Sequence, residues 1–113
     1  MTEIRYSDSA ATDFLAAIKT IWKYFHDKES PELGERHIEK FQSELKRKEE
    51  LLLHNPELYP MRREYSSKYS GRAYRSFTAH WFTVFYTYNK DEGVVIWYIR
   101  SSTSDFSTLI LLS

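Results

Sequence analysis

The first part of this sequence whose residue types suggest chemistry is a basic strip between positions 62 and 75. It contains a single acid, Glu64, and five cations: Arg62, Arg63, Lys68, Arg72 and Arg75. Three aromatic rings lie beside or between them: Tyr59, Tyr65 and Tyr69. Such surfaces bind nucleic acid or an acidic segment of a partner protein, although a solvated loop explains the composition equally well. Because the whole chain balances 16 Lys+Arg against 16 Asp+Glu, the strip is a local feature and not a sign of a generally basic nucleic-acid binder.

The side chains that most often bind metals or act as nucleophiles are sparse. The absence of Cys excludes disulfides, thiol catalysis and Cys-ligated zinc. The four His residues, His26, His37, His54 and His80, show no metal-ligand spacing. His37 lies beside the apolar stripe of a predicted helix, which favours a packed residue over a catalytic one. The sequence therefore predicts neither a metal site nor a cofactor.

Two amphipathic helices are predicted in the first half of the chain. Ser7 caps the first, whose stripe of Phe14, Ile18, Ile21 and Phe25 has the 3.6-residue period of a helix that ends at 27–29. Ser30–Pro31 combines a capping hydroxyl with Pro at the first position of a second helix. That helix continues to about His54 and is stopped by Asn55–Pro56. A short connection predicts an antiparallel helix hairpin.

Period-two patterns predict the strands. Thr2–Tyr6 forms a short first strand, and a loop at 56–71 leads to three more, Ala73–Ala79, Trp81–Tyr88 and Val94–Ile99. The turn at 89–93 joins the last two as a hairpin. We therefore expect an α+β fold in a single domain spanning residues 1–113. An N-terminal strand precedes the helix hairpin, and an antiparallel sheet of three to four strands follows it, with the helix pair covering one face.

Several smaller expectations follow from the same patterns. Asp13, Glu44 and Glu50 are interpreted as helix-surface charges. Four bulky rings, Trp81, Phe82, Phe85 and Trp97, are interpreted as core or sheet-face packing. The apolar run at 109–112 either folds back on the sheet or docks a partner. With no signal peptide and no apolar span of membrane length, the expected location is cytoplasmic.

Four stretches together resemble the RelE/ParE family of toxins from type II toxin–antitoxin modules. The first is Ile4–Tyr6–Ser7 with Ala10 and Asp13–Phe14, and the second is the helix end from Leu51 to Pro56. The third is the aromatic strand Phe82–Tyr86, and the fourth is Val94–Ile99 with Asp105 six residues on. The order and spacing of these motifs cover nearly the whole chain, whereas each motif alone is weak.

The resemblance implies two different activities. RelE-like members are ribosome-dependent mRNA endonucleases that use basic residues with a C-terminal Tyr or His, whereas ParE-like members poison DNA gyrase. Here the positions of the family's basic and His residues hold Thr83, Ser101, Thr103 and Ser104, and no Tyr or His follows Tyr98. RNA cleavage needs a cation at the phosphorane and a proton acceptor near the sugar, which the hydroxyl run at 101–104 does not provide.

The ParE-like branch is therefore the better match, with no catalytic residues and with a cognate antitoxin as partner. Its implied gyrase contacts are Arg62, Arg63, Lys68, Arg72, Arg75 and Arg100. Its implied antitoxin contacts are Trp22, Phe25, Phe41, Leu109, Ile110 and Leu111. If the chain is instead an mRNA endonuclease, Arg75, Tyr86 and Arg100 are the candidate catalytic groups. A third alternative is a non-toxic interaction module.

Overall fold

The structure is a computed structural model that describes residues 3–62 and 73–102. It contains two long helices and five strands. In chain order these are β1 (Ile4–Tyr6), α1 (Asp8–Asp27), α2 (Pro31–His54), β2 (Met61–Arg62), β3 (Tyr74–Ala79), β4 (Phe82–Asn89) and β5 (Gly93–Ser101). This confirms the predicted α+β order, with β2 as a short strand that lay inside the predicted loop. The Leu109–Leu112 segment lies outside the described residues.

The strands form one sheet in the order β1-β5-β4-β3-β2. The four strands after the helices pair antiparallel, as predicted. β1 instead pairs parallel to β5, with Ile4 opposite Val94 and Tyr6 opposite Ile96, so the complete sheet is mixed. A parallel neighbour requires a long crossover connection, and the helix hairpin and the other strands provide it.

Local chemistry explains where the helices begin and end. The Ser7 hydroxyl accepts a hydrogen bond from the backbone N–H of Ala10, as an N-cap does. The capping role predicted for the Ser30 hydroxyl is wrong, because Ser30 adopts φ −128° and ψ 56° and its hydroxyl donates to the carbonyl of Lys28. Pro31 still opens α2. Asn55, restricted by the following Pro, donates its N–H to the carbonyl of Leu51 and ends the helix.

The main core lies between the helix hairpin and one face of the sheet. Ile21, Phe41 and Leu52 from the helices are completely buried against sheet residues such as Val84 and Ile96. The predicted packing of Trp81, Phe82 and Phe85 is confirmed by their burial. Trp97 is half-buried, and its Nε1–H donates to Thr87 Oγ1 at 2.9 Å.

An irregularity in the β4–β5 pairing explains the unbroken apolar run of β5. Phe85 lies opposite Tyr98, but Tyr86 lies opposite Ile96, so Trp97 is an extra residue in β5. Such a bulge shifts the alternation of side chains by one residue. Ile96 and Ile99 therefore both join the core, although an unbroken strand would point them to opposite faces.

Neither a membrane-spanning helix nor a metal cluster is found in the part of the chain that the structure describes. Neither helix there is long and apolar enough to cross a bilayer. Within the same residues, no group of three or more His, Asp or Glu side chains is placed to hold a metal ion.

Candidate functional site

A candidate binding surface in the described residues is a groove between α1 and α2. It has a volume of about 490 Å³ and is lined by residues of β1, α1 and α2: Tyr6, Ala11, Phe14, Leu15, Gln42, Leu45, Lys46 and Glu49. We call it the interhelix groove. The flank of α1's apolar stripe forms one wall, where Leu15 leaves 66% of its surface exposed. Exposed apolar side chains beside a concave surface are typical of sites that bind a partner.

A polar pair is set into this apolar groove. The Tyr6 hydroxyl donates to Glu49 Oε1 at 2.9 Å, and the Tyr6 ring meets the Phe14 ring edge-on, with 6.5 Å between centroids. Burial raises the pKa of the Glu49 carboxyl, an effect that the hydrogen bond from Tyr6 partly opposes. Burial, and then the nearby Glu49 charge, raise the pKa of the Tyr6 hydroxyl, which therefore remains a donor.

The residues predicted to contact the antitoxin differ in how far they are buried. Trp22 is 49% exposed on α1 and its indole stacks on the imidazole of His26, with 4.6 Å between ring centroids. Phe25 and Phe41 are buried in the core, because they lie at the centre of their helix stripes and face the sheet. Neither ring is available at the surface of this conformation. Leu109, Ile110 and Leu111 lie outside the described residues.

Asp13 closes the edge of β5 that β1 leaves open. Because β1 ends at Tyr6, the later part of β5 has no neighbouring strand on that side among the residues that the structure describes. Two side chains take its place. The Ser7 hydroxyl donates to the carbonyl of Trp97 at 3.0 Å, and Asp13 Oδ2 accepts from the N–H of Ile99 at 2.9 Å. The interpretation of Asp13 as a surface charge was therefore wrong, since its side chain is only 13% exposed.

The same carboxylate holds Arg100 in place. Asp13 Oδ1 accepts from an Arg100 guanidinium N–H at 3.3 Å, and that guanidinium lies over the Tyr98 ring, 5.0 Å from its centroid. The Arg100 side chain remains 45% exposed. Arg100 is therefore a surface cation whose orientation is restrained by Asp13 and Tyr98.

The side chains of Arg75 and Tyr86 make structural contacts with the segment that follows α2. An Arg75 guanidinium N–H donates to the carbonyl of Tyr59 at 2.7 Å, and the group pairs with the Glu57 carboxylate at 3.8 Å. The Tyr86 hydroxyl donates to the carbonyl of Pro56 at 3.0 Å. Burial raises the pKa of Tyr86 to about 12. These contacts anchor the segment that follows α2.

The structure does not bring the three conditional catalytic groups together. Arg75 lies opposite Tyr86 on the helix-covered face, whereas Arg100 lies opposite Thr83. Side-chain alternation places Arg100 on the other face, where Tyr98 contacts the ring of Tyr74. No centre that combines these three residues exists in the described conformation.

Most of the basic strip falls outside the described residues. Arg63, Lys68 and Arg72 belong to the segment 63–72, and only the backbone of Arg62 is described, opposite Tyr74 at the edge of the sheet. Arg75 is the member whose side-chain contacts are known.

A cluster of rings that sequence analysis missed joins both helices to the β3–β4 turn. His37 Nδ1 and His80 Nε2 lie 3.0 Å apart, and the His37 ring packs between Phe25 and Trp81. Burial lowers the pKa of both imidazoles, that of His80 to about 4. The two His residues are 43 positions apart, so no spacing in the sequence could reveal the pair.

Glu44 belongs to the same cluster. It accepts a hydrogen bond from the backbone N–H of His80, a residue with φ +55°. The interpretation of Glu44 as a helix-surface charge was therefore wrong. Glu50 is exposed on α2, as predicted.

Comparison with known proteins assigns the fold to a family. The model of the family described as the ParE toxin of the type II toxin–antitoxin system parDE matches residues 4–106. The search of curated proteins found no significant match to the sequence. The matched region runs from β1 through β5 and includes the interhelix groove, Asp13 and Arg100. The chain therefore belongs to the ParE family of type II toxins, and this membership implies an antitoxin partner.

Proposed function

We propose that this toxin acts by binding DNA gyrase and that its antitoxin neutralises it by covering the interhelix groove. One observation carries the first part of the proposal. Arg75 and Tyr86, two of the candidate groups for an mRNA endonuclease, are neighbours that bond to the segment after α2. The third candidate, Arg100, lies on the other face of the sheet and pairs with Asp13.

The chemistry of these groups supports the same conclusion. Cleavage of RNA needs a proton acceptor near the attacking hydroxyl and a cation at the phosphate. The Tyr86 hydroxyl has a pKa raised to about 12 and already donates to Pro56. The Arg75 guanidinium is held by Tyr59 and Glu57. Because these three groups do not form a reaction centre in the described residues, we infer that the toxin acts through the stability of its complex with the target.

Arg100 and the basic strip are the proposed contacts to gyrase. Asp13 and Tyr98 fix the exposed guanidinium of Arg100, which reduces the entropy lost when it meets an acidic side chain. The basic strip adds positive charge, as the sequence shows. Such charges steer the encounter with an acidic surface and fix its register.

The interhelix groove is the proposed antitoxin surface. Leu15 and Trp22 lie seven positions apart on α1, so a partner helix lying along α1 meets both. An amphipathic helix in an apolar groove is a common mode of peptide recognition. The groove lies next to β1, away from the sheet edge at β2.

An assay with the purified toxin tests the target. We expect the chain to inhibit supercoiling by gyrase, and we expect the antitoxin encoded beside it to restore supercoiling. Cells that express the chain are expected to show DNA breaks and filamentation while translation continues. Cleavage of mRNA on translating ribosomes, lost on Arg75→Ala or Arg100→Ala, would overturn the proposal in favour of an mRNA endonuclease. No growth defect without the antitoxin would favour a non-toxic module.

A second variant tests the antitoxin surface. Leu15→Ser removes an exposed apolar side chain from the groove, so the free energy of unfolding should change by less than about 1 kcal/mol. Loss of its contact should weaken antitoxin binding by about tenfold or more in calorimetry. Leu33→Ser is the matched control, since Leu33 is an exposed Leu on α2 outside the groove. Equal affinities for the two variants would show that the antitoxin docks elsewhere.

A further inference from the structure

The interhelix groove contains an acid whose charge is only partly compensated. Glu49 is the acidic residue of the groove lining. Its Oε1 accepts from the Tyr6 hydroxyl, and its carboxylate has no other partner among the described residues. A carboxylate can accept about four hydrogen bonds, so most of this capacity is still available for a ligand.

The surroundings of Glu49 decide what such a ligand must be. β1 contributes the neutral Tyr6 hydroxyl, and α1 contributes no charge to the lining. α2 contributes Gln42 and one cation, Lys46, which is exposed and forms no ion pair with Glu49. The negative charge of Glu49 therefore acts in a half-buried, largely apolar site, where electrostatic interactions are stronger than in open water.

Covering this site with the wrong side chain is unfavourable. An apolar residue placed over Glu49 would remove the carboxylate from water without replacing its solvation, and an acidic residue would add repulsion. A cation compensates both effects. Lys and Arg also carry long aliphatic stems, which can pack along Phe14 and Leu45 before the charged group reaches Glu49.

We propose that the interhelix groove selects a partner helix that places a Lys or Arg over Glu49, flanked by apolar side chains that contact Phe14 and Leu15. This inference rests on the proposed docking of the antitoxin in the groove. It adds the property by which the groove recognises the antitoxin helix, a cation opposite Glu49. Glu49 then acts as a specificity determinant, because helices that share the apolar pattern but lack the cation bind less well.

Glu49→Gln tests the proposal against a control on the same helix. The Gln carbonyl keeps an acceptor for the Tyr6 hydroxyl and nearly the same volume, so only the charge is lost. Glu50→Gln removes the same charge from the adjacent, exposed position. Calorimetry with the antitoxin encoded beside the chain should show affinity reduced by about tenfold or more for Glu49→Gln. Glu50→Gln should stay within about twofold of the natural protein. Equal affinities for the two variants would overturn the inference.

A double-mutant cycle identifies the antitoxin residue that contacts Glu49. Because it measures the coupling between two substitutions, it stays informative even if Glu49→Gln is poorly folded. Each Lys and Arg of the antitoxin is changed to Met, and its effect is measured with natural toxin and with Glu49→Gln. For one antitoxin cation, we expect its change to Met to weaken binding to the natural toxin by about tenfold. The same change should leave the affinity for the Glu49→Gln toxin nearly unaltered. If no antitoxin cation shows this coupling, the groove does not select its partner by charge.

The outcomes separate this inference from the proposed function. If Leu15→Ser binds as tightly as its control, the docking surface itself is wrong. If Leu15→Ser binds weakly while Glu49→Gln binds normally, the antitoxin uses the groove and only the charge selection is wrong. Binding by the natural toxin should also weaken as the pH falls toward the raised pKa of Glu49, because protonation removes the charge.

Discussion

Replacement of Asp13 by Ala gives the sharpest test of how the fold positions Arg100. The substitution removes the acceptor for the Ile99 N–H, which belongs to a buried residue at the open edge of β5. An unsatisfied buried N–H costs about 1–3 kcal/mol. Loss of the pair with the half-exposed Arg100 adds less than about 1 kcal/mol. We therefore expect the free energy of unfolding to fall by about 1–4 kcal/mol.

Two companion variants separate the hydrogen bond from the charge. Arg100→Ala removes the ion pair and leaves the bond from Ile99 to Asp13, so it should cost less than about 1 kcal/mol. Asp13→Asn keeps an oxygen for the Ile99 N–H and should fall between the two Ala variants. Urea titration followed by Trp fluorescence measures all three, provided that the slope of the transition stays constant. The reasoning is refuted if Arg100→Ala costs as much as Asp13→Ala.

Three further perturbations test other parts of the fold. Stability should be greatest above the ordinary His pKa of 6.5 and fall as the pH drops toward 4, because the unfolded chain binds protons before the half-buried His80 ring does. The full pKa shift is worth about 3 kcal/mol, reduced to roughly 1–2 kcal/mol by solvent screening, and a His80→Phe variant should show a flatter pH profile in urea titrations. Gly93→Ala should cost about 1–3 kcal/mol in the same assay, because Gly93 has φ +73° and an added Cβ would lie 2.8 Å from the carbonyl oxygen of Glu3; an unchanged midpoint would contradict this. Phe41→Ala should cost about 3–5 kcal/mol and broaden or abolish thermal unfolding, because its ring is completely buried.

Local patterns predicted both helices and four of the five described strands, because the causes of these elements are local. The Ser7 hydroxyl caps α1 through an N–H three residues away, and Asn55 ends α2 because the next residue is Pro. Period-two patterns located β3 and β4, and an unbroken run of apolar and aromatic residues located β5, each to within two residues at either end. Each of these signals is contained in a few consecutive residues.

The site chemistry could not be predicted in the same way, because it depends on residues that meet only in the fold. Asp13 and Ile99 are separated by 86 positions, and His37 and His80 by 43. Helix periodicity alone assigns Asp13 to a polar face. Its actual role follows from the end of β1 at Tyr6, which leaves an N–H of β5 to be satisfied.

The predicted antitoxin contacts differ in burial, and sequence alone could not show this difference. Trp22, Phe25 and Phe41 all lie on apolar helix stripes, and a stripe that faces a core looks the same in sequence as one that faces a partner. Only the packed structure shows that Trp22 lies on the flank while the other two rings face the sheet.

The pairing of Ile4 with Val94 also determines when this toxin can fold during its synthesis. At roughly 5–20 residues per second, a ribosome adds the intervening 90 or so residues over about 5–20 s. Throughout that time the first strand lacks the strand with which it pairs, and the apolar face of α1 lacks the β5 residues that pack against it. Translation products that stop before Val94 cannot close the sheet. The described sheet therefore forms only after Val94 and the residues of β5 have been added to the chain.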